Sequence, residues 1–145
     1  MRRFLVWFLA LWCTWPLPCA LAFTERYTDY ANGNDTTGDG LLESTAWKTP
    51  EKCLDAASAG WRCNAQWVDS TYTVVLSASM TITVAGSLDS PIVLQGYTTT
   101  VGDGGICIID GNSAAANVLA ITSTDHIFRD LELKGSTGDA VDMDA

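Results

Sequence analysis

The chain has 145 residues, with eight Lys and Arg against 17 Asp and Glu and a single His, a formal net charge of −9. Such an excess of acid repels nucleic acid and anionic lipid, so it argues against a nucleic-acid partner. It favours solubility and leaves the fold open.

The first 22 residues have the order of a secretory signal peptide. Arg2 and Arg3 supply positive charge, Phe4 to Trp12 is an almost unbroken apolar run, and Pro16 and Pro18 precede the small-x-small site Ala20-Leu21-Ala22. The apolar run is shorter than the roughly 20 residues that span a bilayer, and no later segment approaches that length. No membrane span is therefore expected in the mature chain, which is expected to be secreted or held at the cell surface. Removal of residues 1–22 leaves 123 residues with six basic and 17 acidic side chains, a net −11. Three cysteines remain, and an exported chain can oxidise them.

Residues 23–70 read as an amino-terminal loop and a helix. A short strand, Arg26 to Tyr30, leads into turn-rich sequence with Asn32-Gly33-Asn34-Asp35 and Gly38-Asp39-Gly40. Thr49-Pro50-Glu51 is a helix start: a capping hydroxyl, a proline at the first helical position and acid in the first turn. The spacing of Cys53, Leu54 and Ala57 predicts a helix from Pro50 to about Ala59, stopped by Gly60. Cys53 lies in that helix and Cys63 just beyond it, so a disulfide closes between them if the helix end folds back. Cys107, in the apolar run Ile106 to Ile109, reads as a small buried hydrophobe. No Cys-x-x-Cys pair offers a zinc site.

Residues 71–145 change to short β-rich runs: Thr71 to Leu76, Met80 to Val84, Ile92 to Gln95, Ile106 to Ile109, Val118 to Thr122 and Ile127 to Leu133. Gly-, Asp-, Asn- and Ser-rich turns separate them. An antiparallel sandwich and a parallel coil of strands both permit that pattern. An internal echo favours the coil. Thr81 to Val84 with Pro91 to Gly96 resembles Val118 to Ile121 with Asp130 to Gly135, at a spacing that predicts two stacked coils of about 20 residues each.

Three segments carry a family resemblance: Gly33-Asn34-Asp35 in the first loop, Ala46-Trp47-Lys48-Thr49 before the helix, and Ile108-Ile109-Asp110-Gly111-Asn112 further on. With the order of elements, they resemble the amino-terminal end of right-handed parallel β-helix proteins of the pectate-lyase-like superfamily, over Tyr30 to about Met143. The resemblance implies an all-β solenoid whose open end is covered by the capping α-helix, with Trp47 packed beneath it. It further implies a protein that binds or cleaves an acidic or plant-type polysaccharide. Members that cleave hold Ca²⁺ between stacked acidic residues on later coils, where an Arg or Lys abstracts a proton. No catalytic residue carries over to this chain. The alternating run at Asp139 to Asp144 starts another coil and stops, from which a fragment is expected. A non-catalytic surface adhesin or structural repeat protein is the alternative, and a small sandwich-type sugar-binding module a third reading.

Candidate sites follow from spacing. Asp142 and Asp144 share one face of a strand and Asp139 precedes them, a set of hard oxygen ligands suited to Ca²⁺. Asn32, Asn34 and Glu43 match three positions of a Ca²⁺ loop, with Thr37 where such loops need Gly. His126 is a turn histidine entering a strand, and Arg129 and Lys134 are expected on opposite sides of one strand. Trp61, Trp67 and Tyr97 offer either a stacking platform for sugar rings or packing beside the helix. Asn34-Asp35-Thr36 satisfies the glycosylation sequon.

Overall fold

A computed structural model describes residues 22–68 and 73–143. The proposed leader up to Leu21, the expected strand start at Thr71 and Asp144 lie outside them. The described residues are mostly strands in parallel sheets with little helix. The strands are β1 (Thr24–Asp29), β2 (Trp61–Gln66), β3 (Val74–Val75), β4 (Met80–Ile82), β5 (Ile92–Tyr97), β6 (Cys107–Asp110), β7 (Leu119–Ile121), β8 (His126–Arg129), β9 (Leu131–Lys134) and β10 (Val141–Met143). One α-helix, α1 (Pro50–Asp55), and a 3-10 turn at Glu43–Thr45 lie between β1 and β2.

Three sheets form. The first has the order β1-β2-β5-β8, the second β3-β6-β9 and the third β4-β7-β10. Every pairing between named strands is parallel. That removes the antiparallel sandwich. From β2 onward the chain visits first, second and third sheet in turn, and then repeats the circuit. Between β1 and β2 it makes no such visit, and α1 packs instead against β1, β2 and β4.

The register revises the reading of the echo. Met80 pairs directly with Leu119, 39 positions on, so those blocks are neighbours rather than two coils apart. Leu119 then pairs with Val141 only 22 positions on. Turn length is set by the corner loops, which vary freely because only the strands must align. The second half of the echo is out of register: Ile92 pairs with His126, whereas Leu131 to Lys134 lies beside β6 in another sheet. The run Ile127 to Leu133 is two strands, broken where Asp130 takes a φ of 56° and turns the chain between sheets. A β-carbon at Gly96, under that corner, would sit 1.9 Å from the Asp130 carbonyl oxygen.

The helix begins where its capping chemistry says. Thr49 accepts from the Lys52 amide at 3.3 Å. It ends at Asp55, short of Ala59, with Ala56 as its C-cap, and Gly60 at φ 81° then turns the chain into β2. Cys53 and Cys63 are bonded, with Cα atoms 6.0 Å apart, so the face of α1 bearing Pro50, Cys53 and Leu54 is fastened to the inner side of β2. The core gathers these residues with alternate positions of all three sheets, among them Met80, Leu94, Ile109 and Leu119. Each such side chain, fully buried, is worth roughly 1.5–3 kcal/mol.

The open edge of β1 is occupied. Tyr27 N–H donates to the Gly40 carbonyl (2.9 Å), Trp47 N–H to that of Tyr27 (3.1 Å), and Asp29 N–H to that of Trp47 (2.8 Å). An edge strand satisfied in this way has little left to offer another chain. The Trp47 ring, 7% exposed, lies against Gly40, whose φ of 65° and close approach both require glycine. The Asp35 carboxylate accepts from the amides of Lys48 (2.7 Å) and Thr49 (3.0 Å) and from the Thr49 hydroxyl (2.9 Å). The Gly33-Asn34-Asp35 loop is thereby locked to the helix start.

Candidate functional site on the outer face of the first sheet

Strand alternation sends Cys63, Ala65, Ile92 and Leu94 into the core and their neighbours outward. Parallel register then aligns the outward side chains across strands. Glu25, Arg62, Val93 and Ile127 form one row; Tyr27, Asn64, Gln95 and Arg129 the next; Asp29, Gln66 and Tyr97 the third.

The rows are bonded laterally. Arg62 pairs with Glu25 at 3.1 Å, and the second carboxylate oxygen of Glu25 accepts from Asn64 Nδ2 at 2.8 Å. Asn64 Nδ2 also donates to the Arg26 carbonyl (3.1 Å), and Gln66 Nε2 to that of Thr98 (2.9 Å). The amide oxygens Asn64 Oδ1 and Gln95 Oε1, adjacent in register, are buried without a partner, as is Arg62 Nε. A buried polar atom left unpaired costs about 1–3 kcal/mol, and with Asn64 and Gln95 closed off from solvent these atoms are an internal cost of the sheet.

Beside the rows lies a depression of about 410 Å³ lined by Tyr27, Leu42, Glu43 and Ser44. In the same loop the Asp39 carboxylate accepts from the Thr45 hydroxyl and the Leu41 amide, bonds that hold its carboxyl below the usual range. Burial, and then the charges of Glu43 and Asp29, push the Tyr97 phenol upward. It stays a neutral donor at any physiological pH. To solvent the site presents the partly exposed Tyr27 ring, the Glu25 and Glu43 carboxylates and, in Arg129, an exposed cation, whereas Asn64, Gln95 and Tyr97 are buried.

The residues singled out by spacing fall elsewhere. Asn117 stands between Asp139 and Asp142, donating to the Asp142 carboxylate (2.8 Å) and accepting the Asp139 amide (3.2 Å). Among the described residues no three His, Cys, Asp or Glu side chains come together as metal ligands. Asn32 and Asn34 are used in their own turns, Asn32 donating to Asp29 and Asn34 accepting from the amides of Thr36 and Thr37. Glu43 faces Tyr97 instead. His126 Nε2 lies 2.9 Å from the Val84 carbonyl. Arg129 and Lys134 belong to different sheets, and Lys134 approaches Asp110 at 3.7 Å. Trp61 and Trp67 pack against the core, with the Arg26 guanidinium 4.1 Å above Trp61, so they form no platform with Tyr97. Cys107 is buried and unpaired, and burial pushes its thiol up to about 12.

Tyr27, Asn64 and Gln95 escaped the reading from sequence. Tyr27 and Asn64 lie 37 positions apart and Asn64 and Gln95 31, and they share a face only once the parallel register is known. No family model, curated protein or solved structure matches the chain.

Proposed function

We propose that the chain is an exported right-handed parallel β-helix protein that binds polysaccharide along the outer face of its first sheet. The ordered circuit of three parallel sheets supports the solenoid, and the strong preference of parallel crossovers for one hand supports its handedness. In this reading α1 covers the first coil. The observation that carries the binding is the depression lined by Tyr27, Leu42, Glu43 and Ser44, at one end of an in-register row whose other end is the exposed Arg129.

Sugar hydroxyls donate to exposed acceptors such as the Glu43 carboxylate, and the apolar face of a sugar ring packs on an aromatic side chain such as Tyr27. Strands repeat every 4.7–4.9 Å, a rise comparable with one sugar residue, so a chain laid across the strands meets a similar group at each step. Glu25, Asp29 and Glu43 would repel a uronate. A neutral, hydroxyl-rich polysaccharide fits better than an acidic one.

Affinity electrophoresis and calorimetry on a panel of neutral and acidic polysaccharides test the proposal, with reducing-end release followed in Ca²⁺ and in chelator. Binding of a neutral polymer, weakened about tenfold by Tyr27→Ala, is expected. Retention by no polymer, or equal binding by Tyr27→Ala and Glu43→Gln, would overturn it.

A further inference from the structure

Asparagine or aspartate before glycine carries a backbone hazard. The glycine nitrogen, with no β-carbon in its way, attacks the side-chain carbonyl carbon of the preceding residue and closes a five-membered imide. The chain has four such bonds: Asn32–Gly33, Asp39–Gly40, Asp103–Gly104 and Asp110–Gly111.

The fold treats them in two ways. In three, the attacking nitrogen is committed: Gly33 donates to the Asp29 carbonyl at 2.7 Å, Gly40 to that of Thr45 at 3.0 Å and Gly111 to that of Lys134 at 2.8 Å. Asn32 is tied as well, its backbone N–H and its Nδ2 donating to the Asp29 carboxylate at 3.1 and 2.9 Å. Among the described residues nothing accepts from the Gly104 amide, and a β-carbon on Gly104 would meet no atom within 4 Å. There the electrophile is held instead. The Asp103 carboxylate accepts from the amides of Thr98, Thr99, Thr100 and Gly105 and from the Thr98 hydroxyl. A carboxylate kept ionised by such donors offers the nitrogen no leaving group.

We infer that Asn32–Gly33 is a guarded deamidation site, open to reaction when β1 lets go of its first loop, and that Asp103–Gly104 is a second, latent site, silent because residue 103 is an acid and not an amide. At Asn32 the Gly33 nitrogen bonds to Cγ, the Cγ–Nδ2 bond breaks, and ammonia leaves with the proton of the Gly33 amide. Water then adds across one of the two imide C–N bonds, giving aspartate or, with a longer backbone, isoaspartate. The longer backbone does not fit, because Gly33 passes so close that even a β-carbon there would collide with the carbonyl oxygens of Trp47 and Asp29. The reaction thus turns a passing opening at the edge of β1 into a permanent one.

The full chain, incubated folded and in urea, tests both sites. Peptides containing residue 32, 103 or 110 are scored by mass for conversion of amide to carboxyl, and with an isoaspartyl methyltransferase for the rearranged backbone. Asn32 should react more slowly in the folded chain by a factor of about ten or more, since the open form alone reacts. Equal rates would overturn the guard. Folded Asp103→Asn should deamidate at that position about tenfold faster than folded Asp110→Asn does at its own, where the glycine nitrogen stays bound to Lys134. Equal loss from the two variants, or faster loss from Asp110→Asn, would overturn the latent site.

Discussion

Opening the Cys53–Cys63 bridge isolates the energy that fastens α1 to the sheet. The half-cystines are 10 positions apart, and closing so short a loop removes chain entropy worth about 2.7 kcal/mol from the unfolded state. Both cysteines are fully buried, one on the helix and one on β2, so the double variant Cys53→Ala, Cys63→Ala keeps most of the local packing. For a domain of this size the loss lowers the melting temperature by about 10 °C. Urea titration of the wild type with and without reductant, beside the double variant, reads it directly. A reductant-sensitive midpoint that the double variant lacks is expected. A change under about 0.5 kcal/mol, within the range of an ordinary surface substitution, would refute the reasoning.

Trp47→Ala should cost about 3–5 kcal/mol in the same titration, because a large buried ring is removed from the lock between the first loop and β1. Gly96→Ala should cost about 3 kcal/mol or more, or prevent folding, since its β-carbon would run into the backbone of Asp130. Asp103 accepts from the amides of Thr99, Thr100 and Gly105, which hold its carboxyl well below the usual range. Its contribution is thus fully present above an ordinary aspartate pKa of about 3.9 and is lost as pH falls through the lower folded value. Amide exchange in residues 98–105 should stay slow at pH 4 in the wild type and be fast in Asp103→Ala at every pH. The Cys107 thiol, buried and raised to about 12, should resist a thiol reagent at pH 8 until the chain unfolds.

What could be read from the chain was local chemistry. The start of α1 was legible because Thr49 and Pro50 carry it in two residues, and most strands because their apolar residues are branched and bounded by turns. β2 was not. Trp61-Arg62-Cys63-Asn64-Ala65-Gln66 sends only Cys63 and Ala65 inward after its first residue, small side chains with little strand preference, and it becomes a strand through pairing with β1 on one side and β5 on the other. The corner at Asp130 was hidden for a related reason: an aspartate in a left-handed conformation carries no glycine or proline to announce it. Of the set read from spacing, Asp144 lies outside the described residues, and the Asn117 amide, placed by the stacking of β10 on β7, bonds the Asp142 carboxylate and the Asp139 backbone amide. The outer row of the first sheet depends on register alone.

An amide NMR titration of the isotopically labelled protein with a neutral oligosaccharide tests the proposed binding face most directly. Shifts confined to the outward positions of β1, β2, β5 and β8 and to residues 42–44 are predicted, with the second and third sheets unmoved. Shifts centred on those other sheets, or none at saturating sugar, would contradict the account.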